Sequence, residues 1–118
     1  MVNLLRWCTR IAGLAALVLG MLLWEGKLVG ALNLHMTLGA IVAAATAILA
    51  VYAISTRARI PLGIVGLVWA VVTVYVGIAQ SQLMPGSNHW IVSAIHLLLG
   101  IGAIGLAEAL AGAITRAK

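Results

Sequence analysis

Phenylalanine is absent from this sequence of 118 residues, and acids are nearly so: Glu25 and Glu108 are the only two. Charged residues make up 8% of the chain, against about 25% in a soluble domain. So little charge cannot clothe a water-facing surface, and the chain is read as an integral membrane protein whose surroundings are the lipid bilayer. The mean hydropathy of +1.20 agrees. With the acids this sparse there is no carboxylate pair. No nucleophile–base arrangement or phosphate loop is present either, which speaks against a stand-alone enzyme of the soluble type. Cys8 is the only cysteine, so an internal disulfide and a C-x-x-C redox motif are excluded. No low-complexity tail or Pro/Ser-rich linker divides the chain, and residues 1–118 are expected to form one domain. The net charge is +5, yet no basic run exists. The basic residues stand at segment ends, as membrane topology requires, so nucleic acid is not an expected partner.

What is present is four apolar runs, at about 4–24, 30–55, 60–79 and 89–114. Each is close to the ~20 residues a membrane helix needs. None has the ten-residue alternation of a membrane strand. Arg6 and Arg10 begin the first run, where long side chains snorkel, and Trp7 and Trp24 mark its ends. A basic start before an apolar run also has the shape of a signal peptide. No polar mature domain follows, so this run is expected to remain as a helix. Glu25-Gly26-Lys27 is a short turn, Pro61 suits the first turn of a third helix, and Ser87 or Asn88 is placed to cap the fourth. Gly39, Ala43 and Ala47 form a small-residue ridge suited to close helix approach. The expected fold is all-α, a transmembrane four-helix up-down-up-down bundle. Arg6, Arg10, Arg57, Arg59, Arg116 and Lys118 fall at one end and Lys27 alone at the other. The positive-inside rule then puts both termini in the cytoplasm, in a bacterial inner or plasma membrane.

Two of the three histidines sit in matched frames, His35-Met36-Thr37-Leu38-Gly39 and His96-Leu97-Leu98-Leu99-Gly100. The frames lie 61 positions apart on runs two and four. Arg10-Ile11 and Arg59-Ile60 add a second echo, so the halves are expected to be two pseudo-symmetric helix hairpins. That symmetry sets His35 and His96 at similar depth near the outer end, facing each other. Histidine is costly in lipid and tends to have a partner or a ligand there. Two facing imidazoles can ligate a metal or a haem iron. Gly39 and Gly100 lie one turn further in on nearly the same faces, removing bulk where a flat ring would press. Val42, Thr46, Ala103 and Ala107 continue those faces and leave a narrow slot. The blander reading is that the small residues only pack helices and each histidine bonds a carbonyl or water.

The H-x-x-x-G pattern on two helices of a four-helix membrane bundle resembles the haem-binding core of integral-membrane b-type cytochromes. The likeness covers the whole chain as architecture, but its specific residues are only His35, Gly39, His96 and Gly100. Larger members hold two haems with four histidines, so one pair here implies one haem b, bound by His35 and His96. No C-x-x-C-H is present, so attachment would be non-covalent. Two axial histidines favour electron transfer over oxygen activation. A quinone or a redox protein is then the expected partner, with oligomerisation left open.

His89 lies about two turns outside His96 on the same face. It is a candidate contact for a haem propionate or a quinone, or a replacement ligand, against the plainer role of an interfacial histidine beside Trp90. Gln80, Gln82 and Asn33 share that end as further donors or as ordinary loop and helix-end residues. Glu108 points off the ligand face, and a pairing with Arg10 or Arg6 is expected over a proton relay. Two other classes stand beside the cytochrome. One is a cofactor-free accessory subunit of a larger membrane complex. The other is a small proton-coupled transporter, although multidrug exporters of this size carry their acid in the first helix and need weaker charge bias.

Overall fold

The computed structural model describes residues 1–117. It contains α1 (Val2–Trp24), a single 3-10 turn (Val29–Ala31), α2 (Leu32–Ser55), α3 (Ile60–Ala79) and α4 (His89–Arg116). The chain is an all-α four-helix bundle, and every helix is long and apolar enough to cross a membrane. The bundle is 48 Å long, near the ~40–45 Å of a bilayer with its headgroups. Helix limits follow local chemistry. Gly26, at φ 75°, takes the left-handed turn that ends α1. Pro61 lies in the first turn of α3, where its missing N–H leaves no helical bond unmade. Asn88 stands at the N-cap of α4 but makes no side-chain cap bond.

Consecutive helices pack side by side, and α4 returns against α1. The bundle is not square in section. α2 and α4 also meet across the middle, whereas α1 and α3 do not. The reason is side-chain size. The buried positions of α2 include Val42, Thr46, Leu49, Ala50 and Ala53, and those of α4 include Ala103, Ala107, Leu110, Ala111 and Ile114. These ten form five pairs, each separated by the 61 positions that separate the histidines. Leu49, Ala50, Ala53, Ala107, Leu110, Ala111 and Ile114 make one core cluster in the half of the bundle away from the histidines. Lipid tails are as apolar as these side chains, so tight van der Waals packing by small residues holds the helices together. Thr9 and Thr46 are the buried hydroxyls. Each donates to the carbonyl four residues earlier, of Leu5 and of Val42, at 2.8 Å, which satisfies it within its own helix.

The duplication is thus visible in packing, but one sequence echo does not take part. Arg59 is the N-cap of α3, while Arg10 lies two turns inside α1. The matching positions of α1 and α3 are 57 apart. Thr9 and Gly66 are buried, as are Gly13 and Ala70. The ridge of Gly39, Ala43 and Ala47 is also only partly used. Ala43 is buried, but a Cβ at Gly39 would meet nothing within 4 Å. A closer approach belongs to α3 on α2, where a Cβ at Gly63 would stand 2.8 Å from the Ala50 carbonyl oxygen.

On the seam between α1 and α4, Glu108 is gripped by two arginines. Arg10 donates from Nε to Oε1 at 2.6 Å and from Nη2 to Oε2 at 2.9 Å. Arg6 donates from Nε to Oε2 at 2.7 Å. The Arg10 guanidinium also lies 4.8 Å from the Trp7 ring centre, a cation–π distance.

The tight seam between α3 and α2 gives a stability test. Gly63→Ala drives a methyl against backbone and should lower the unfolding free energy by about 1–3 kcal/mol, read by SDS titration in mixed micelles. Gly105 faces open space, so Gly105→Ala should be neutral or gain up to about 1 kcal/mol of helix propensity. Equal responses would contradict the close approach.

Candidate functional site

At the end of the bundle opposite the core cluster, the interior opens into a cavity of about 290 Å³. The layer of Ala12, Val42 and Ala103, with Leu38 and Trp69 packed on it, lies between the two regions. Position 69 explains why the cavity lies towards α1. α3 carries Trp69 where α1 carries Ala12, and the indole reaches α4 to donate from Nε1 to the Leu99 carbonyl at 2.9 Å. Gly102 makes room for it, since a Cβ there would stand 2.7 Å from Trp69 Cε2. From α1 the lining takes Gly13, Ala16, Leu17 and Gly20, among others.

His35, Gly39, His89, His96 and Gly100 all line this one cavity. The rings of His35 and His96 face each other with centres 6.2 Å apart and planes crossing at 75°. His35 stands in the first turn of α2 and His96 in the second turn of α4. The bundle absorbs this difference because the connections before them, residues 25–31 and 80–88, differ in length. His35 Nδ1 is 2.9 Å from the Ala16 carbonyl oxygen. A carbonyl only accepts, so Nδ1 carries the proton and Nε2 keeps a lone pair. His96 Nδ1 is buried and has no partner. A buried polar atom without a partner is an exception among folded proteins and points to a missing neighbour.

Two further glycines, which the sequence reading did not single out, fix the rings. A Cβ at Gly20 would stand 3.0 Å from His35 Cε1, and one at Gly77 would stand 2.8 Å from His96 Cε1. They are 57 positions apart, the spacing of α1 with α3, so each hairpin supplies one glycine and one histidine. The signal in the sequence was weak. Thirteen glycines are spread through the chain, and neither of these two sits in a motif.

The slot beneath the histidines is shorter than expected. Val42 lines it, but Thr46, Ala103 and Ala107 are fully packed at 0–1% exposure and close the bundle instead. Gly39 has open space before it, while Gly100 meets Leu17 at an ordinary 3.5 Å. At the mouth stand Gln80, Ser81, His89 and Ser93. His89 Nδ1 is 3.3 Å from the Leu83 carbonyl, so its proton is also held on Nδ1. Gln82 and Asn33 are exposed and do not line the cavity.

Among the described residues no group of three or more His, Cys, Asp or Glu is placed to hold a metal ion. A metal here would have two protein ligands and need the rest from elsewhere. Two imidazoles bound on opposite sides of one ion, at about 2.0–2.1 Å per bond and with each nitrogen ~1 Å from its ring centre, hold their centres ~6 Å apart. The observed spacing of 6.2 Å matches that distance, and Gly20 and Gly77 stand against the Cε1 edges of the two rings. Compared with known protein families, characterised proteins and solved structures, the chain matches none.

The tautomer of His35 is open to direct measurement. In protein prepared without added cofactor, 15N imidazole shifts should place the His35 proton on Nδ1. A proton on Nε2 would show that the bond to Ala16 is not made.

Proposed function

We propose that the protein is a membrane electron carrier that holds one haem b, non-covalently, between His35 and His96. The observation that carries this reading is the facing of the two rings at 6.2 Å inside a cavity lined by both helices that bear them. It is supported by the donor count. Two imidazoles are an incomplete set for a structural metal site, whereas a haem would bring four nitrogens of its own and would need only His35 and His96 from the chain. Bound there, the haem would supply a one-electron redox couple at an iron with no open position.

The chain's own groups supply binding, orientation and exclusion of water. The Ala16 carbonyl accepts a hydrogen bond from His35 Nδ1, which would leave Nε2 as the nitrogen that binds the iron. Gly20 and Gly77 leave each ring one narrow place to stand. Gly39 and Gly100 keep the helix surfaces below the rings low. Leu17, Val42 and Leu97 make the walls apolar, which would keep water from a bound haem and tune its potential. The mouth, with Gln80, Ser81, His89 and Ser93, offers hydrogen-bond donors to the carboxylates of a haem or the carbonyls of a quinone. Electrons would therefore enter or leave at that end, with a quinone or a redox protein as partner.

The reading includes an orientation. Six Lys or Arg mark one end and Lys27 the other. Both termini then face the cytoplasm, and the cavity mouth faces outward. Reporter fusions at Lys118 and in the loop at 82–88 should report opposite compartments. A C-terminus on the outer side would reverse the direction assigned to the mouth.

The ligand assignment is tested by oxidised and dithionite-reduced absorption spectra of protein made with haem in supply. His35→Ala or His96→Ala should abolish or grossly alter the spectrum. His89→Ala should keep two-histidine coordination and change only potential or partner affinity. Gly39→Leu should lose haem while the bundle still inserts, because its side chain enters open cavity space. A wild-type protein that stays colourless would end this reading and leave the accessory subunit in its place.

A further inference from the structure

The cluster of Arg6, Arg10 and Glu108 has no part in the cavity. The two hairpins superpose in sequence at 57 positions for α1 on α3 and 61 for α2 on α4. By that correspondence Arg6 matches Gly63, Arg10 matches Leu67 and Glu108 matches Ala47. The seam of α3 with α2 is therefore built from a glycine, a leucine and an alanine where the seam of α1 with α4 carries three charges. The uncharged seam is close-packed, as Gly63 against Ala50 shows. Packing alone does not explain why the charged one exists.

The charges do not balance. Both oxygens of Glu108 are taken by two guanidinium groups. Arg116 folds back along α4 only as far as Gly112, where its Nη1 would be 3.1 Å from an added Cβ. Among the described residues Glu108 pairs with Arg6 and Arg10, two cations on one anion. Each of Arg6 and Arg10 uses Nε and Nη2 on Glu108 and makes no bond through Nη1 among the described residues. The side chains of Arg6, Arg10 and Glu108 are 36%, 35% and 28% exposed, so the cluster opens outward from the bundle. Glu108 lies ~12 Å along α4 from Arg116 at 1.5 Å per residue, which sets the cluster inside the helix end and not beyond it. Two guanidinium groups on one carboxylate leave one positive charge in excess, and the spare Nη1 donors are suited to oxygens of a phosphate.

We propose that Arg6 and Arg10, with Glu108 holding them in register, form a binding site for the phosphate of an anionic glycerophospholipid. The carboxylate fixes the two forks so that their free edges converge, and the lipid phosphate supplies the missing negative charge. The acyl chains run along the exposed apolar face of α1, where Ile11 and Leu14 follow Trp7. The source is a lipid because Arg6 stands about 6 Å inside the start of α1, near the level of the headgroups, with the exposed apolar side chains of Ile11 and Leu14 beside it to receive acyl chains. The site is independent of the haem reading, since none of its residues lines the cavity.

The test uses the purified full chain in detergent, with native mass spectrometry to count retained lipid and thermal midpoints to follow stabilisation. Phosphatidylglycerol should be retained and should raise the midpoint. Phosphatidylcholine should bind about fivefold more weakly, the worth of one uncompensated basic charge. The variant Arg6→Gly with Arg10→Leu and Glu108→Ala installs the residues of the opposite seam and should lose the preference. Arg10→Lys keeps the charge and the pairing with Glu108 but not the fork, and should weaken retention about tenfold. It guards against a triple variant that does not fold. Lys27→Gln, at the other end, should retain lipid as the wild type does. Equal retention of the two lipids by the wild type would overturn the proposal, as would unchanged preference in Arg10→Lys. Equal stabilisation by inorganic phosphate would overturn the assignment to lipid.

Discussion

How close α2 and α4 come to each other governs the rest of this molecule. In water, helices are pressed together by the removal of apolar surface from solvent. In a bilayer that drive is gone, and contact depends on how many atoms can touch. Alanine at 50, 53, 107 and 111 lets the two helices meet across the middle of the bundle, with Leu49, Leu110 and Ile114 filling the layers between. The diagonal between α1 and α3 becomes the long one as a result. Histidines placed further along the short diagonal, on the same two faces, are brought to 6.2 Å without any loop having to carry them. The site is thus built on rigid elements, and the packing of the far half of the bundle sets its spacing.

Much of this could be read from the residues alone, because membrane helices are written in composition. Length, apolarity and the placement of Gly26, Pro61 and Asn88 mark the helices to within a few residues. The facing histidines were legible because an ionisable ring is rare in such runs and two shared a frame. What could not be read was which small residues touch what. Gly39 and Gly20 look alike in sequence. One faces open space, and the other has a histidine against it. Helical position gives a face but not the neighbour on that face, and in an alanine-rich bundle many registers satisfy the same pattern. The depth of the slot was overread for this reason: Thr46, Ala103 and Ala107 continue the histidine faces yet pack shut. The pairing of Arg10 with Arg59 failed for another reason. Identity at two adjacent positions says nothing about position within a helix, and one of the two is a cap while the other is interior.

The departures from two-fold symmetry are as informative as the symmetry. At the level below the histidines, Trp69 faces Gly102, where the other hairpin has Ala12 and Ile41. The indole ties α3 to α4 and leaves the space on the α1 side unfilled. A two-fold bundle would divide its free volume between two equal clefts. This one gathers it into a single cavity reached by both rings. Further towards the arginine end, the second departure replaces small residues by Arg6, Arg10 and Glu108 on one seam only. Each asymmetry adds polar or aromatic bonding to one face of an otherwise repeated scaffold, and each does so outside the shared alanine core.

The cavity end and the core end also differ in how well they close on themselves. In the core every buried hydroxyl is satisfied within its own helix, and the side chains touch without charge. Around the histidines the accounts differ between the two halves. His35 has its carbonyl from Ala16, while the matching position on α3 is Thr73, whose hydroxyl donates to Trp69 and whose carbonyl does not reach His96. An imidazole nitrogen left without a partner in a buried place costs on the order of 1–3 kcal/mol. Aliphatic residues at 35 and 96 would remove that cost and fill the space. The two rings and the orphaned nitrogen therefore lower the stability of the bundle, and packing alone gives no reason for them.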